Sequence, residues 1–314
     1  MTDNDLPVLG EDLLAWLLTG DVSIQYQVCR DLLYDENPSL RNRMQHEGWG
    51  AVIMARRENS GHWGRKYYQP KWICTHYTLL ELKDLAFPQD HPAIGETIRV
   101  VLDTCKGTDG GINPHVTIPS SELCVSGMFL NAACYFHAPE ESLKSIVDFI
   151  LSHRMGDGGF NCVCTVHQVR HSSLHTTICI AEGIASYLKH GYRYRAGELR
   201  EAEDSAWEFM LAHRLYRSDR SGEVIDHHMI RPRFPCRWRY DVLRALECAR
   251  ESERHYDERM DDALQLLASL RKPDGRWLLY AGMPGKVHQV MEPPGRPSRW
   301  NTLRSLRVLS YYAV

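Results

Sequence analysis

Residues 156–161 read GDGGFN, and residues 175–188, after a loop, read HTTICIAEGIASYL. The first segment is a glycine-centred turn, and the second is a run of apolar and small residues long enough for a buried helix. Before the turn, EESLKSIVDFILSHR at 140–154 has apolar residues on one helical face and charged residues on the other. The three segments together predict a helical hairpin with a partly solvated outer helix and a buried inner helix.

The same unit recurs along the chain. Further glycine-centred turns are NSGHWG (59–64), TDGGIN (108–113), RSGEVI (220–225) and PDGRWL (273–278). Amphipathic outer segments also occupy 92–105, 199–215 and 258–271. Aligning the inner segments places equivalent helix starts at Cys74, Cys124, His175, Tyr240 and Thr302, with an earlier start near Tyr26. The intervals of 48, 50, 51, 65 and 62 residues indicate six hairpins.

Six hairpins predict an all-α fold, an (α/α)6 toroid in which the inner helices surround a central cavity. Residues 1–314 then form one domain, and residues 1–20 supply the first outer helix and an N-terminal lead. The equivalent inner-helix starts face one mouth of the cavity. The alternative is an open superhelix of helical hairpins, which large and varied loops between the hairpins make less favourable.

Composition narrows the class of protein. The 314 residues carry a net charge of −3, with 43% hydrophobic and 25% charged residues, so nothing indicates a nucleic-acid or anionic-membrane partner. No apolar run approaches the roughly 18 residues of a membrane span. The acidic N-terminus is unlike a secretory signal. Ten dispersed cysteines favour a reducing, cytoplasmic location. The sequence does not indicate an oligomeric state.

Two inner-helix starts carry residues that zinc prefers. Glu122 and Cys124 begin one inner segment and His175 begins the next, and packed helices lie about 8–10 Å apart. The helix N-terminus favours the thiolate of Cys124. These residues predict a Zn²⁺ site, with Cys162 as a fourth ligand. Cys74 and His76 are further candidates for the fourth position. The alternatives are a buried thiol at Cys124 and a hydrogen-bonded core histidine at His175.

Other candidates lie near the same predicted mouth. Trp72, Trp238 and Trp300 precede three inner helices, and Arg237 and Arg299 precede two of these tryptophans. An indole there would bind a flat or cationic substrate, or would pack between hairpins. His171 is a candidate substrate contact. Asp241 is a candidate acid or base, unless it pairs with a nearby arginine. We add Tyr240 and His76 as catalytic candidates.

The turns SGHW, DGGF and DGRW resemble the repeat motif of squalene cyclases and related terpenoid cyclases, and the chain resembles a bacterial-type single-chain member of this toroid superfamily. The pattern ELC, with Glu122 and Cys124, and LHTT, with His175, resemble the zinc ligands of the β subunit of protein prenyltransferases. That resemblance implies a catalytic zinc. The loop before ELC, however, has none of the basic residues with which that family binds diphosphate.

Three functions follow as hypotheses. The first is a zinc enzyme that activates a thiol or water toward a small hydrophobic or thiol-bearing substrate in an aromatic cavity. The second is a metal-free, terpenoid-cyclase-like enzyme with Asp241 as its acid. The third is a non-catalytic toroid in which a structural zinc, closed by Cys162, joins two hairpins.

Overall fold

Six inner helices form a closed ring in the computed structural model, which describes residues 10–115, 117–162 and 169–313. The inner helices are α2 (Val22–Leu32), α5 (Thr75–Asp84), α7 (Leu123–Tyr135), α9 (Leu174–Lys189), α11 (Val242–Glu251) and α13 (Arg299–Tyr312). Each of α5 to α13 packs on the next inner helix, and α13 packs on α2. Gln27 of α2 donates a hydrogen bond to the carbonyl of Asp84 in α5, which completes the circle.

The outer elements alternate with these helices. They are α1 (Glu11–Leu18), α3 (Pro38–Arg43) with α4 (Gly48–Met54), α6 (Pro92–Cys105), α8 (Glu140–Ser152), α10 (Ala196–Ala212) and α12 (Asp261–Ser269), which a 3₁₀ turn at Glu258–Met260 precedes. A two-stranded antiparallel ladder joins β1 (Trp277–Leu278) to β2 (Pro297–Ser298). The predicted (α/α)6 toroid is therefore confirmed, and the open superhelix is excluded by the contact of α13 with α2.

The same hydrogen bond links a glycine turn to the following inner helix in several of the hairpins. A glycine lies at positive φ in all five turns, as at Gly110 and Gly158. In four turns the residue two positions after this glycine donates its backbone N–H to a hydroxyl of the following inner helix. The pairs are Trp63 with Thr75, Ile112 with Ser126, Phe160 with Thr177 and Trp277 with Thr302, at 2.9 to 3.1 Å.

This repeated bond fixes the register of the hairpins. Thr75, Ser126, Thr177 and Thr302 are structurally equivalent. Cys124 and His175, each two residues earlier, are therefore equivalent as predicted. The predicted alignment was wrong by one residue at Cys74 and by two at Thr302, because it matched the apparent helix starts and did not use the hydroxyl as the common reference point.

None of the helices in the described part of the chain is both long and apolar enough to cross a membrane.

Candidate metal site and central cavity

Glu122, Cys124 and Cys162 bring their donor atoms together at the start of α7. These atoms all lie within 4.8 Å of one another, and Cys124 Sγ is 3.8 Å from Glu122 Oε1. A tetrahedral zinc separates thiolate sulfur from carboxylate oxygen by about 3.5 Å, given the usual bond lengths. Glu122 is the N-cap residue of α7, but its side chain makes no capping hydrogen bond. Its carboxylate is thus available to a metal.

Two serines, one shortly before α7 and one shortly before α9, help to position this cluster. Ser121 donates its N–H and its hydroxyl to the carboxylate of Asp109, and Ser172 bonds to Asp157 in the same way. Each aspartate belongs to a glycine turn, so each turn holds the start of the next inner helix. The hydroxyl of Thr176 donates to Cys162 Sγ at 3.5 Å, which ties the cysteine to α9.

Close packing of α7 on α9 brings the two starts within reach of each other. A Cβ added at Gly127 would lie 2.6 Å from the carbonyl oxygen of Cys179, and one at Gly183 would lie 2.6 Å from that of Gly127. Only glycine permits this backbone approach without a shift of the helices. The two glycines are therefore part of the reason that Cys124 and Cys162 meet.

The two thiols influence each other's ionisation. A hydrogen bond with Cys124 lowers the pKa of Cys162, and the Thr176 hydroxyl lowers it further. The same bond with Cys162 raises the pKa of Cys124 well above its usual value, and burial adds to this effect. The pair thus holds one thiolate most readily at Cys162. A bound cation would favour ionisation of both.

His115 is a donor that the sequence analysis missed. Its Nε2 lies 3.2 Å from Glu122 Oε2, and this buried nitrogen makes no hydrogen bond of good geometry within the described ranges. The residue belongs to the loop between the TDGGIN turn and α7. A histidine seven residues before the Glu-x-Cys pattern was the available signal, but only the fold of the loop shows that it returns to Glu122.

His175 lies outside the Glu122–Cys124–Cys162 cluster. Its Nδ1 accepts a hydrogen bond of 2.9 Å from the backbone N–H of Tyr240, and its ring packs edge-on against Trp238 at 5.3 Å. Burial lowers its pKa to about 4, with help from Arg244 and Arg239, so the imidazole is neutral at pH 7. Its Nε2 has no described hydrogen-bond partner.

The other fourth-position candidates lie on α5. His76 is buried with its Nδ1 2.7 Å from the Tyr67 hydroxyl. Burial, together with Lys71, lowers its pKa to about 3. Cys74 is buried as the N-cap residue of α5. Among the described groups neither belongs to the cluster at Glu122.

A central cavity of about 420 Å³ lies toward the C-terminal halves of most inner helices. We expected an aromatic cavity at the N-terminal mouth, but charged side chains make up half of the residues that line this cavity. The basic residues are Arg30, Arg41, Lys83, Lys189, Arg237, Arg244, Arg250, Arg304 and Arg307, and the acidic ones are Asp31, Glu36, Glu81, Asp84, Glu182, Glu247 and Glu251. A cavity with this lining suits a ligand with polar or charged groups better than a purely apolar ligand.

Two of the predicted substrate contacts, Arg237 and Trp300, line this cavity. Trp72 does not; its Nε1 donates to the carbonyl of Pro284 at 2.9 Å, and Arg237 stacks over its ring at 4.4 Å. Arg299 donates its Nε–H to the carbonyl of Trp16. His171 is exposed. Trp238 packs on the ring of His175.

Asp241 has a structural role in capping α11. Its carboxylate accepts the backbone N–H groups of Arg244 and Arg233, at 2.9 and 3.2 Å. It is fully buried and does not line the cavity. Tyr240, beside it, is also buried, and its hydroxyl has no partner among the described residues.

Glu81, unlike Asp241, is an acidic residue that lines the cavity and is a candidate proton donor. It lies on α5 with 6% of its surface exposed and lines the cavity. Burial raises its pKa to about 8, although Arg237 opposes the shift. The carboxyl group is therefore mostly protonated at pH 7. The sequence signal was a single acid within the apolar run THYTLLEL.

Two tyrosines lie between the cavity and the Glu122–Cys124–Cys162 cluster. Tyr77 lines the cavity, and its hydroxyl is 2.9 Å from that of Tyr68. The charge of Cys124 acts on the pKa of both tyrosines, and burial raises the pKa of each far above the usual value. Both phenols are hence neutral donors between the two sites.

No protein-family model and no curated protein matches the chain. Solved structures of the type II terpene cyclase MstE from Scytonema are similar to it. The apo form has 14% sequence identity and a TM-score of 0.47, and the alignment covers 94% of this chain and 89% of that chain. A variant in complex with geranylgeranyl dihydroxybenzoate has 13% identity and a TM-score of 0.49, with 94% and 88% covered. At this identity the similarity implies nothing about activity.

Proposed function

We propose that this chain is a zinc-dependent enzyme whose metal is held by Glu122, Cys124 and Cys162 next to the central cavity. The observation that carries the proposal is the convergence of two thiols and a carboxylate within 4.8 Å. Such donors suit zinc better than the harder cations. The buried Nε2 of His115 and the Nε2 of His175 are the available nitrogens for a fourth bond.

When bound, zinc would lower the pKa of a water or substrate thiol in an open position. Side chains of the protein would orient the substrate and supply a proton. Tyr77 and Tyr68 would orient polar atoms between cluster and cavity. Glu81 would hold a proton on the cavity wall and donate it to a substrate atom that becomes negative in the reaction.

Metal content tests the proposal directly. We expect about one zinc per chain in the purified protein by mass spectrometry, and loss of most of it in Cys124→Ser and Cys162→Ser. Cys29→Ser, a thiol on α2 outside the cluster, is the matched control. Cobalt substitution gives a second readout, since each thiolate bond adds charge-transfer absorption. Zinc that is absent after reconstitution, or unchanged in both cysteine variants, would contradict the proposal.

The same measurement on His115→Ala and His175→Ala identifies the fourth position. If either variant loses zinc, and chelation also unfolds the wild type, four protein donors close the shell and the metal is structural. If neither variant loses zinc, the fourth position is open to water or substrate, as in catalytic sites.

A metal-free acid catalyst is the second candidate, and the protonated Glu81 on the cavity wall favours it. In this case Glu81, and not Asp241, protonates an alkene or similar group. Turnover of an isoprenoid substrate that survives Cys124→Ser and is lost in Glu81→Gln would support it. Loss of turnover in both variants would favour the zinc enzyme.

A further inference from the structure

The central cavity is lined by nine basic residues and seven acidic ones, so its positive charges are not all compensated. Arg30, Arg250 and Arg307 all act on the ionisation of one carboxylate, Asp31. Arg30 contacts it at 2.6 Å and Arg307 at 3.0 Å. Arg307 also pairs with Glu247, so its positive charge is compensated by two carboxylates. Arg30 then has Asp31 as its close partner, and Arg250 has Asp31 nearby together with a longer contact to Glu251.

Arg250 is the least compensated of the three. Its contact with Glu251 is 3.8 Å long, which is beyond a hydrogen bond. Its buried Nε has no partner within the described residues. Burial lowers its pKa, and the neighbouring Arg307 lowers it further. A negative charge placed beside Arg250 would relieve both effects.

Arg41 approaches the same place from α3. Arg30 and Arg41 flank the ring of Tyr26, with their guanidinium carbons 5.4 and 5.8 Å from its centroid. Arg41 donates to the Tyr135 hydroxyl at 3.1 Å, and its buried Nε has no partner in the described ranges. Glu36 lines the same cavity and accepts a long 3.3 Å hydrogen bond from the hydroxyl of Tyr26.

We infer that Arg30, Arg41 and Arg250 form a subsite for the carboxylate or phosphate of a small organic ligand that occupies the central cavity. Guanidinium groups recognise both anions through paired N–H donors. The cavity volume of about 420 Å³ suits one small molecule. Tyr26 and Tyr135 would pack on its uncharged part, and Glu81 lies on the same cavity wall. The inference does not depend on the metal, since none of these residues belongs to the Glu122–Cys124–Cys162 cluster.

Calorimetric titration with two probes at constant ionic strength tests the subsite. Inorganic diphosphate represents phosphates and benzoate represents carboxylates. We expect at least one to bind, and its dissociation constant to rise about tenfold in Arg41→Gln and in Arg250→Gln. Arg220→Gln, at an exposed turn outside the cavity lining, is the matched control and should bind like the wild type.

A variant that should strengthen binding separates a loss of charge from misfolding of the arginine variants. Glu36→Gln removes an exposed negative charge from the subsite and should tighten binding about two- to threefold. The probe that responds to these variants identifies the anion. Failure of both probes to bind, or binding that is equal in Arg41→Gln, Arg250→Gln and the control, would overturn the inference. Zinc content measured on the same samples shows separately whether the metal proposal fails.

Discussion

Glu81 shows how one side chain acquires its chemistry from the ring around it. The residue belongs to α5, between apolar residues, and helices on both sides bury it. Removal from water disfavours the carboxylate more than Arg237 favours it, so the pKa rises to about 8. The same glutamate on an outer helix would be ionised at pH 7.

The raised pKa of Glu81 makes stability depend on pH with a defined sign. Its folded pKa of about 8 exceeds its unfolded value of about 4.5, so its contribution is fully present below pH 4.5 and is lost as the pH rises through 8. Glu81→Gln does not titrate. We therefore expect the stability of Glu81→Gln relative to wild type to increase by about 3 kcal/mol from pH 4.5 to pH 7.

Urea denaturation at pH 4.5, 6, 7 and 8 measures this difference. Glu201→Gln, at an exposed site on α10, is the control and should show a difference that is constant with pH. A wild-type minus Glu81→Gln difference that is equally constant would show that Glu81 is ionised in the folded protein.

At the residue scale, the sequence could predict contacts that lie within one helix start but not those that depend on loops. Glu122 and Cys124 are two residues apart, and the structure brings their side chains together. Cys162 joins them because the DGGF turn and Thr176 hold it there. His115 escaped notice because only the fold of its loop returns it to Glu122. Glu81 escaped notice because groups from segments distant in the sequence surround it.

At the element scale, the hydroxyl of the inner helix is the residue that defines the repeat. The N–H of Phe160 would be buried and unpaired without Thr177, whose hydroxyl also donates to the Phe160 carbonyl at 3.2 Å. Three other turns use the same bond. The glycine turns were visible in the sequence, whereas the register was not, since a threonine or serine in a helix has no distinctive local pattern.

Thr177→Val should therefore destabilise the protein by about 1–3 kcal/mol, because valine keeps the shape but leaves the Phe160 N–H unsatisfied. Thr104→Val is the control: this exposed hydroxyl bonds only within its own surroundings on α6, and its loss should change stability by less than about 0.5 kcal/mol. Denaturant titration provides both values. Equal costs for the two variants would argue against the turn bond as a determinant of register.

At the scale of the whole molecule, the number of hairpins could be predicted but the character of the cavity could not. Six repeats imply six inner helices, and the ring follows once α13 meets α2. Which end of the ring remains hollow depends on the loops. Here Trp72 donates to the loop carbonyl of Pro284, Arg299 donates to the outer helix α1, and Trp238 packs on His175 at the start of α9. The cavity is therefore lined mainly by the charged C-terminal halves of the inner helices.

Closure of the ring depends on buried charges at the junction of its first and last inner helices. Arg307 of α13 contacts Asp31 and Gln27 of α2 at 3.0 and 3.1 Å, and it also pairs with Glu247 of α11. Arg307 and Asp31 are each only 9% exposed. Removing one partner of such a group leaves the other charges buried and uncompensated, which costs about 3–5 kcal/mol.

Arg307→Met should thus lower the free energy of unfolding by about 3–5 kcal/mol. Arg259→Met, which breaks more exposed pairs with Glu208 and Asp257, should cost less than about 1 kcal/mol. Hydrogen exchange distinguishes closure from a local effect. In a ring that α13 closes, its detachment exposes α2, so both helices should lose protection together in Arg307→Met. Loss of protection in α13 alone would contradict this prediction. It would mean that α2 stays folded without the junction, as each hairpin does in an open array whose units contact only their neighbours.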